Sequence, residues 1–262
     1  MPKVVAIANQ KGGVGKTTTA IHLGVGLALE GYRTLLIDMD PQYNATAGLG
    51  LAASENRPGV YDLLINEFPL HDVIRKTAYE RLDVVASDAR LHGAEIEMVS
   101  KIAREHILVQ ALSSLNNEYS FVVCDCPPSL GLLTLNALTA ASSILVPMQC
   151  EYFALEGLAH LMKTVKLVQK HLNTALQIEG IVLTMYDGRL NLSRQVADEI
   201  AQVFGERVYK TTISRNVRLS EAPSFGQPVY QYDPGSRGAQ NYRDLTREFL
   251  AAQGLPAQEA AA

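Results

Sequence analysis

The 262-residue sequence has few cysteines, no long apolar run and no excess of basic residues. Each of these absences argues against one class of protein. The three cysteines, Cys124, Cys126 and Cys150, are too few for a disulfide framework. Since no run of about eighteen apolar residues occurs, we expect no membrane-spanning segment. The net charge of −4 argues against a surface covered in positive charge, although it is compatible with a local basic patch.

What is present is the composition of an ordinary soluble protein, with 47% apolar and 19% charged residues. A strand pattern begins at Lys3, which leaves no room for a signal peptide, so we expect a cytoplasmic protein. Neither a repeat nor a linker interrupts the chain. We therefore predict a single domain over residues 1–252, followed by a disordered tail rich in Ala, Gln, Gly and Pro over residues 253–262.

Apolar runs alternate with helical patterns along the chain, which predicts an α/β fold: a doubly wound, mostly parallel sheet with helices on both faces. Strands are predicted at Lys3–Ala8, Thr34–Asp38, Leu82–Val85, Phe121–Asp125, Ser143–Pro147, Ile178–Thr184 and Arg207–Tyr209. Helices are predicted at Lys16–Leu29, Ile102–Leu115, Leu132–Ala141, Ala154–His171, Leu192–Phe204 and Ala239–Ala251.

A glycine-rich stretch between the first strand and the first helix has the context of a phosphate-binding loop. Its glycines allow backbone N–H groups to approach phosphate oxygens, and the helix N-terminus adds unpaired donors. Lys16 should reach the β- and γ-phosphates, and the Thr17 hydroxyl should bind Mg²⁺. Gln10 stands where the usual pattern has glycine, and a second lysine, Lys11, begins the loop. The candidate nucleotide-binding residues of the loop are Lys11, Gly12, Gly13, Val14, Gly15, Lys16, Thr17 and Thr18.

Two further strands end in acidic residues at the sheet edge where open α/β folds bind ligands. Asp38 and Asp40 follow the second strand, where a carboxylate could orient a water near a γ-phosphate, although they could equally begin a turn before Pro41. Asp125 ends the apolar strand that begins at Phe121, and in a phosphate-loop site this carboxylate reaches Mg²⁺. The two prolines after it, Pro127 and Pro128, fix a loop that could sense the γ-phosphate.

A local basic surplus lies in the last quarter of the chain. From Arg207 to Arg243 there are six basic residues and two acidic ones, Glu221 and Asp233, which makes +4 in a chain of −4. Such a cluster is either a solvated charged surface or a face that binds a polyanion, and composition alone does not decide between them.

Five motifs together resemble the ParA/Soj branch of the phosphate-loop ATPases, the partition ATPases that segregate bacterial chromosomes and plasmids. The loop motif identifies the superfamily, and the last two motifs narrow the resemblance to this branch; it extends from about residue 2 to residue 250. The motifs are Lys-Gly-Gly-Val-Gly-Lys-Thr-Thr-Thr at 11–19, Asp-Met-Asp-Pro-Gln at 38–42, Asp-Cys-Pro-Pro-Ser-Leu-Gly at 125–131, Gln-Cys-Glu-Tyr-Phe-Ala-Leu-Glu-Gly at 149–157 and Arg-Asn-Val-Arg-Leu-Ser-Glu-Ala-Pro-Ser at 215–224.

The resemblance implies roles for single residues near the nucleotide. Lys11 would touch the partner's nucleotide in an ATP-dependent homodimer, and Gly12 would lie at the two-fold interface. Asp40 would position the attacking water, and Asp125 would support Mg²⁺. The predicted catalytic set is therefore Lys11, Lys16, Asp40 and Asp125. Ser214 and Asn216 would contact the adenine, although the family usually has proline where this chain has Ser214.

The resemblance also implies partners. Arg189, Arg215 and Arg218 would face double-stranded DNA without sequence preference, so the ATP-bound protein would associate with the nucleoid. A centromere-binding protein of the ParB type would stimulate hydrolysis. Because the chain starts directly at the first strand, it resembles the short form that lacks an operator-binding domain.

Three other functions within the superfamily are weighed against this one. A membrane-associated ATPase that positions the division site needs a basic amphipathic C-terminal helix, and the sequence from Gly254 has neither a basic face nor an apolar stripe. An iron–sulfur protein needs paired cysteines, and Cys126 has no obvious second ligand. A nucleotide-binding module without turnover is disfavoured, because the residues that turnover needs are all present: Lys16, Thr17, Asp40 and Asp125.

Overall fold

Short apolar runs lie side by side in one sheet at the centre of the molecule. The structure is a computed structural model that describes residues 2–52, 56–152 and 154–257. Within these residues the strands are β1 (Lys3–Ile7), β2 (Thr34–Asp38), β3 (Ile74–Lys76), β4 (Leu82–Val85), β5 (Phe121–Asp125), β6 (Ser143–Gln149) and β7 (Gln177–Thr184). Their order across the sheet is β3-β4-β2-β5-β1-β6-β7, and every neighbouring pair is parallel except β3 with β4.

The strands are connected by helices that differ widely in length. In the described residues these are α1 (Lys16–Leu29), α2 (Asn44–Gly48), α3 (Val60–Leu64), α4 (Leu70–Val73), α5 (Leu91–Glu97), α6 (Ile107–Leu112), α7 (Leu132–Ala140), α8 (Ala154–His171), α9 (Asn191–Phe204), α10 (Val217–Glu221), α11 (Val229–Tyr232) and α12 (Arg237–Ala252). Single 3₁₀ turns lie at Met98–Ser100, Arg104–His106, Gly205–Arg207 and Ala222–Phe225.

Each face of the sheet is covered by its own apolar core, because alternate side chains of a strand point to opposite faces. Val5 and Ile7 pack with α1 and α12 on one face, whereas Val4 and Ala6 pack with α5 to α9 on the other. At Gly26 a Cβ would lie 2.3 Å from the Thr246 hydroxyl, so glycine is what allows α1 and α12 to touch. The prediction of a doubly wound, mostly parallel fold is confirmed.

The strand predicted at Arg207–Tyr209 is wrong. A 3₁₀ turn occupies Gly205–Arg207, and Val208 makes only a single parallel bridge to Ile181 of β7. The ladder stops because the next backbone N–H groups have another acceptor: Lys210 and Thr211 donate to the Glu248 carboxylate of α12 at 2.7 and 2.8 Å.

The helix predicted at Ile102–Leu115 is shorter in the structure, where α6 covers only Ile107–Leu112. Ala103 lies in the left-handed region at φ 52°, which separates α6 from the preceding residues. The sequence reading also missed the antiparallel edge strand β3 and the short helices between β2 and β5, because segments of three to seven residues carry little periodic pattern.

The predicted disordered tail begins at Gln253, and only its first five residues, 253–257, are among those described. Gln253 hydrogen bonds with Lys3 and Glu179, and the Pro256 carbonyl accepts from the Tyr32 hydroxyl at 2.8 Å. These contacts attach the start of the tail to the sheet and to the loop between α1 and β2. Residues 258–262 lie outside the described part of the chain, and disorder there stays a prediction.

Candidate nucleotide site

The loop from Lys11 to Thr18 curls between the end of β1 and the start of α1. Gly13 and Gly15 have φ of 74° and 83°, which is the left-handed region that a side chain would strain. The Lys16 side chain folds back over the loop, and its Nζ donates to the Lys11 carbonyl at 3.0 Å. A loop of this shape can enclose an anion between its backbone N–H groups and the ammonium of Lys16.

Three polar side chains that the sequence reading missed hold the loop against the sheet. The Thr184 hydroxyl donates to the Val14 carbonyl at 2.8 Å, and the Gln149 amide donates to the Gly13 carbonyl at 3.0 Å. Asn9 accepts from the Lys11 N–H and donates to the Pro147 carbonyl. Their detectable signal is position, since Gln149 and Thr184 are the last residues of β6 and β7, and Gln149 also begins the motif at 149–157.

Two buried carboxylates stand side by side on the ends of neighbouring strands, Asp38 on β2 and Asp125 on β5. Asp38 is fully bonded: it accepts from the Thr46 N–H and hydroxyl at 2.8 and 2.7 Å and from the Asp40 N–H at 3.2 Å. Burial raises its pKa to about 6. Asp38 therefore organises the turn after β2, one of the two roles that the sequence left open.

Asp125 is different, because neither of its buried oxygens makes a hydrogen bond of ordinary length and angle among the described residues, although the Thr17 hydroxyl lies close enough to lower its pKa. Burial, followed by the charge of Asp38, raises its pKa well above the ordinary value, whereas Thr17 and Lys16 act in the opposite direction. A buried carboxylate that makes no well-formed hydrogen bond and faces a hydroxyl fits a hard divalent cation. Thr17 and Asp125 are the residues that could hold Mg²⁺ here.

Asp40 and Lys16 complete the polar cluster at this edge of the sheet. Asp40 is buried, and one of its carboxylate oxygens accepts the Gln42 N–H at 2.9 Å. Burial lowers the pKa of Lys16, whereas the negative charges of Asp125 and Asp40 raise it. The four predicted groups Lys16, Thr17, Asp40 and Asp125 thus share one electrostatic environment.

A cleft of about 510 Å³ opens beside the loop, between the start of α1 and the segment that follows β7. Thr18 and His22 line one wall, and Ser214, Arg215 and Asn216 line the other. The Ser214 hydroxyl donates to the Asn241 side chain at 2.8 Å, and the Asn216 side-chain Oδ1 caps α10 by accepting the Arg218 N–H at 2.8 Å. A flat heteroaromatic ring next to the phosphate loop would lie here.

Lys11 and Gly12 lie at the outer rim of the loop. The Lys11 ammonium forms an ion pair with Glu151, just before α8. Gly12 is exposed, and a Cβ added there meets no described atom within 4 Å. A larger side chain at this position therefore has room within the described part of the chain.

The predicted DNA-binding arginines come from two loops that the fold brings together. Tyr186, after β7, forms a parallel bridge with Ser214, and its N–H donates to the Ile213 carbonyl at 3.0 Å. Arg189 and Arg215 then both lie near Asp187, and they lower the pKa of that carboxyl to about 2, Arg189 more than Arg215. One basic surface therefore forms from residues about thirty positions apart in the sequence.

Arg218 contributes less free charge than the sequence suggests. It forms ion pairs with Glu221 at 2.8 Å and with Asp233 at 3.2 Å. Glu221 and Asp233 are the two acidic residues of the segment from Arg207 to Arg243, and both pair with the same arginine. Arg215, by contrast, is exposed and forms no ion pair with a residue that the structure describes.

The structure bears on one of the alternative functions, the iron–sulfur protein. Cys126 is free and buried, burial raises its thiol pKa well above the ordinary value, and the described residues contain no metal-binding group of three or more His, Cys, Asp or Glu. None of the helices seen in residues 2–52, 56–152 and 154–257 is long and apolar enough to cross a bilayer.

A glycine loop, a buried loop lysine and a strand-end carboxylate on a doubly wound sheet define a protein of the phosphate-loop nucleoside-triphosphatase class. Comparison with known proteins narrows the class. The family described as AAA domain matches residues 2–178. The sporulation initiation inhibitor protein Soj of Bacillus subtilis is 56% identical over 251 residues, covering 96% of this chain and 99% of Soj.

Two further matches agree. The chromosome partitioning protein ParA of Caulobacter vibrioides is 52% identical, covering 95% of this chain and 94% of ParA. A solved structure of cobyrinic acid a,c-diamide synthase from Mycobacterium smegmatis, with bound ADP and magnesium, superposes with a TM-score of 0.84 at 33% identity and covers all of both chains. The chain belongs to the ParA/Soj family of chromosome-partitioning ATPases.

Proposed function

We propose that this protein is a slow, Mg²⁺-dependent ATPase that works as a switch in chromosome or plasmid segregation. ATP closes a homodimer, the dimer binds double-stranded DNA without sequence preference, and hydrolysis dissolves it. A ParB-type centromere-binding protein stimulates hydrolysis. The similarity to Soj and ParA supports the biological process, and the geometry of the site supports the individual steps.

The observation that carries the proposal is the buried Asp125, which makes no well-formed hydrogen bond among the described residues and is offset by the Thr17 hydroxyl and the charge of Lys16. A buried carboxylate satisfied this poorly is costly unless a cation binds it. Thr17 and Asp125 would hold Mg²⁺, which neutralises charge on the β- and γ-phosphate oxygens. Lys16 holds the phosphates, and Asp40 orients the attacking water.

Dimerisation in this proposal uses the exposed rim of the loop. Lys11 exchanges Glu151 of its own chain for the phosphates of the partner's nucleotide. Both side chains of this pair are substantially exposed, at 40% and 52%, so the exchange costs little. Gly12 lies at the same rim, where the absence of a side chain allows two loops to approach.

The DNA-binding step is connected to the nucleotide by a single short segment. Ser214 and Asn216 line the cleft, while Arg215 and Arg218 of the same segment are exposed, and Arg215 lies near Asp187 together with Arg189. A nucleotide in the cleft would therefore order the residues that carry the arginines. In the dimer two such surfaces act together on one duplex.

The experiment is a salt series of affinity for two unrelated DNA duplexes, with ATP and with ADP. Binding should require ATP, ignore sequence and fall by about 0.9 log units per log unit of salt for each phosphate neutralised. Because a two-fold dimer doubles each substitution, Arg215→Ala should flatten the slope by about two. Arg218→Ala should flatten it by up to the same amount, since Glu221 and Asp233 already offset its charge.

Arg189→Ala should also flatten the slope by up to the same amount, since Asp187 already offsets its charge. Lys170→Ala, at an exposed lysine near the end of α8, serves as the control and should leave the slope unchanged. Equal affinity with ATP and ADP, or an unchanged slope in all three arginine variants, would contradict the DNA-binding switch. A steady-state ATPase assay with and without DNA distinguishes the switch from a nucleotide-binding module that does not turn over.

A further inference from the structure

A second, larger groove lies away from the nucleotide, between α8 and α9 and over the first residues of β7. It encloses about 1230 Å³. Its floor and walls are apolar: Leu158 and Val165 of α8 are buried, and Met162, Ile178 and Phe204 are half-buried around them. Val203, 69% exposed, stands at its mouth. An apolar depression of this size is a feature of binding surfaces.

Three cations surround this apolar floor: Lys163 and Lys166 of α8, and Arg207 after α9. All three are exposed, and none forms an ion pair within the described part of the chain. Some other exposed cations, such as Lys76, Arg189 and Arg218, have acidic partners, whereas Arg215 shares the unpaired state of the three groove cations. The groove thus combines an apolar floor with an uncompensated positive rim.

The complement of such a surface is an acidic amphipathic segment, with apolar side chains on one face and carboxylates along its edges. DNA fits less well, because phosphates gain nothing from the buried side chains of the floor. The groove is also at the amino end of β7, whereas the Arg189 and Arg215 loops follow its carboxyl end, roughly 20 Å away at the rise of a strand. The two basic surfaces are therefore separate.

We propose that this groove is a docking site for a partner protein, which binds through an acidic amphipathic helix. The helix lays its apolar face over Met162 and Phe204, and its carboxylates pair with Lys163, Lys166 and Arg207. The lining of the groove extends along α8 from Leu155 to Gln169, a length of about 20 Å, which accommodates a helix of about fourteen residues. Since the nucleotide and the arginine loops lie elsewhere, the partner and DNA bind together.

The probe is a synthetic, fluorescein-labelled amphipathic helix of about sixteen residues, with Leu at helical spacing and Glu on both flanks. Its binding to the full chain is followed by fluorescence anisotropy. Two peptides serve as controls: one with the same composition and scrambled order, and one in which every Glu is replaced by Lys. We expect the acidic amphipathic peptide to bind at least about tenfold more tightly than either control.

Variants of the protein test the two halves of the surface separately. The double change Lys163→Glu and Lys166→Glu should weaken binding about tenfold, because attraction becomes repulsion at two points. Val203→Ser, at an exposed position that the fold tolerates, should weaken it about threefold through lost apolar contact. Lys170→Glu reverses the next lysine of α8, which does not line the groove, and should change affinity less than twofold.

Several outcomes would overturn the proposal. They are equal binding of the scrambled peptide, no binding at millimolar peptide, an equal loss in Lys170→Glu, or displacement of the peptide by duplex DNA. If the charge-reversed variant instead lost DNA affinity, the rim would belong to the DNA-binding surface. If nucleotide-free protein dimerised and the double variant abolished that dimer, a second copy would be the occupant. The peptide-binding and variant results do not depend on whether ATP hydrolysis or DNA binding proceeds as proposed above, whereas the two DNA readouts require that the protein bind DNA.

Discussion

Acid should destabilise this protein through His22, a residue of α1 that also lines the nucleotide cleft. The ring is fully buried and stacks on Tyr242 with 4.7 Å between centroids. Nδ1 donates to the Thr18 carbonyl at 2.6 Å, and Nε2 accepts the Val229 N–H at 2.9 Å. Both nitrogens are thus satisfied in the neutral form, and a proton on Nε2 would face the N–H of Val229.

The magnitude follows from the pKa. Burial lowers the pKa of His22 from 6.5 to about 4, and the hydrogen bond to Thr18 offsets only part of this effect. The unfolded chain therefore binds a proton in a range where the folded chain does not. The contribution of neutral His22 to the free energy of unfolding is complete above about pH 6.5 and is lost as the pH falls toward 4. Between about pH 7.5 and about pH 5 the loss should be about 2 kcal/mol.

The assay is urea unfolding at the two pH values, for the wild type and for His22→Gln. The variant should be about 1–3 kcal/mol less stable near pH 7.5, because one hydrogen bond is lost. Its further loss on acidification should be smaller than that of the wild type by about 2 kcal/mol. Asp38, whose raised pKa acts in the opposite sense, is present in both proteins and cancels in the comparison.

The control is His160→Gln, at an exposed histidine of α8. On acidification its free energy of unfolding should fall by the same amount as that of the wild type. An equal acid loss in wild type and His22→Gln would refute the reasoning.

The remaining predictions concern the phosphate loop and its carboxylate. Lys16→Ala should abolish ATP binding, measured by calorimetry, because the loop loses its ammonium group; near-normal affinity would mean that the loop is misassigned. Lys11→Ala and Gly12→Val should keep ATP binding but not dimerise in sedimentation with ATP, and a stable Lys11→Ala dimer would remove the proposed contact across the interface. Asp40→Ala should bind ATP and dimerise but hydrolyse very slowly, so that it accumulates on DNA; normal turnover would place water orientation elsewhere.

The parts of the fold that local pattern controls were readable from the sequence. β2 is buried along its whole length and apolar at its three central residues, α1 is buried on nearly all sides, and α8 has the period of a helix with one face against a sheet. The type and position of these elements therefore followed from the residues. The strand prediction for Arg207–Tyr209 failed although its local pattern is that of a strand. The distant Glu248 accepts the N–H groups of Lys210 and Thr211, which a longer strand ladder would need.

The phosphate loop and Asp125 were likewise determined by the sequence, because glycine, lysine and a strand-end acid carry their chemistry in their own spacing. Only the tertiary structure decided which charges remain free. Arg218 meets Glu221 and Asp233, Lys11 meets Glu151, and the loops of Arg189 and Arg215 share one surface through the Tyr186–Ser214 bridge. Residues far apart in the chain make these contacts, and the energy of a charge depends on its neighbours in space rather than in sequence.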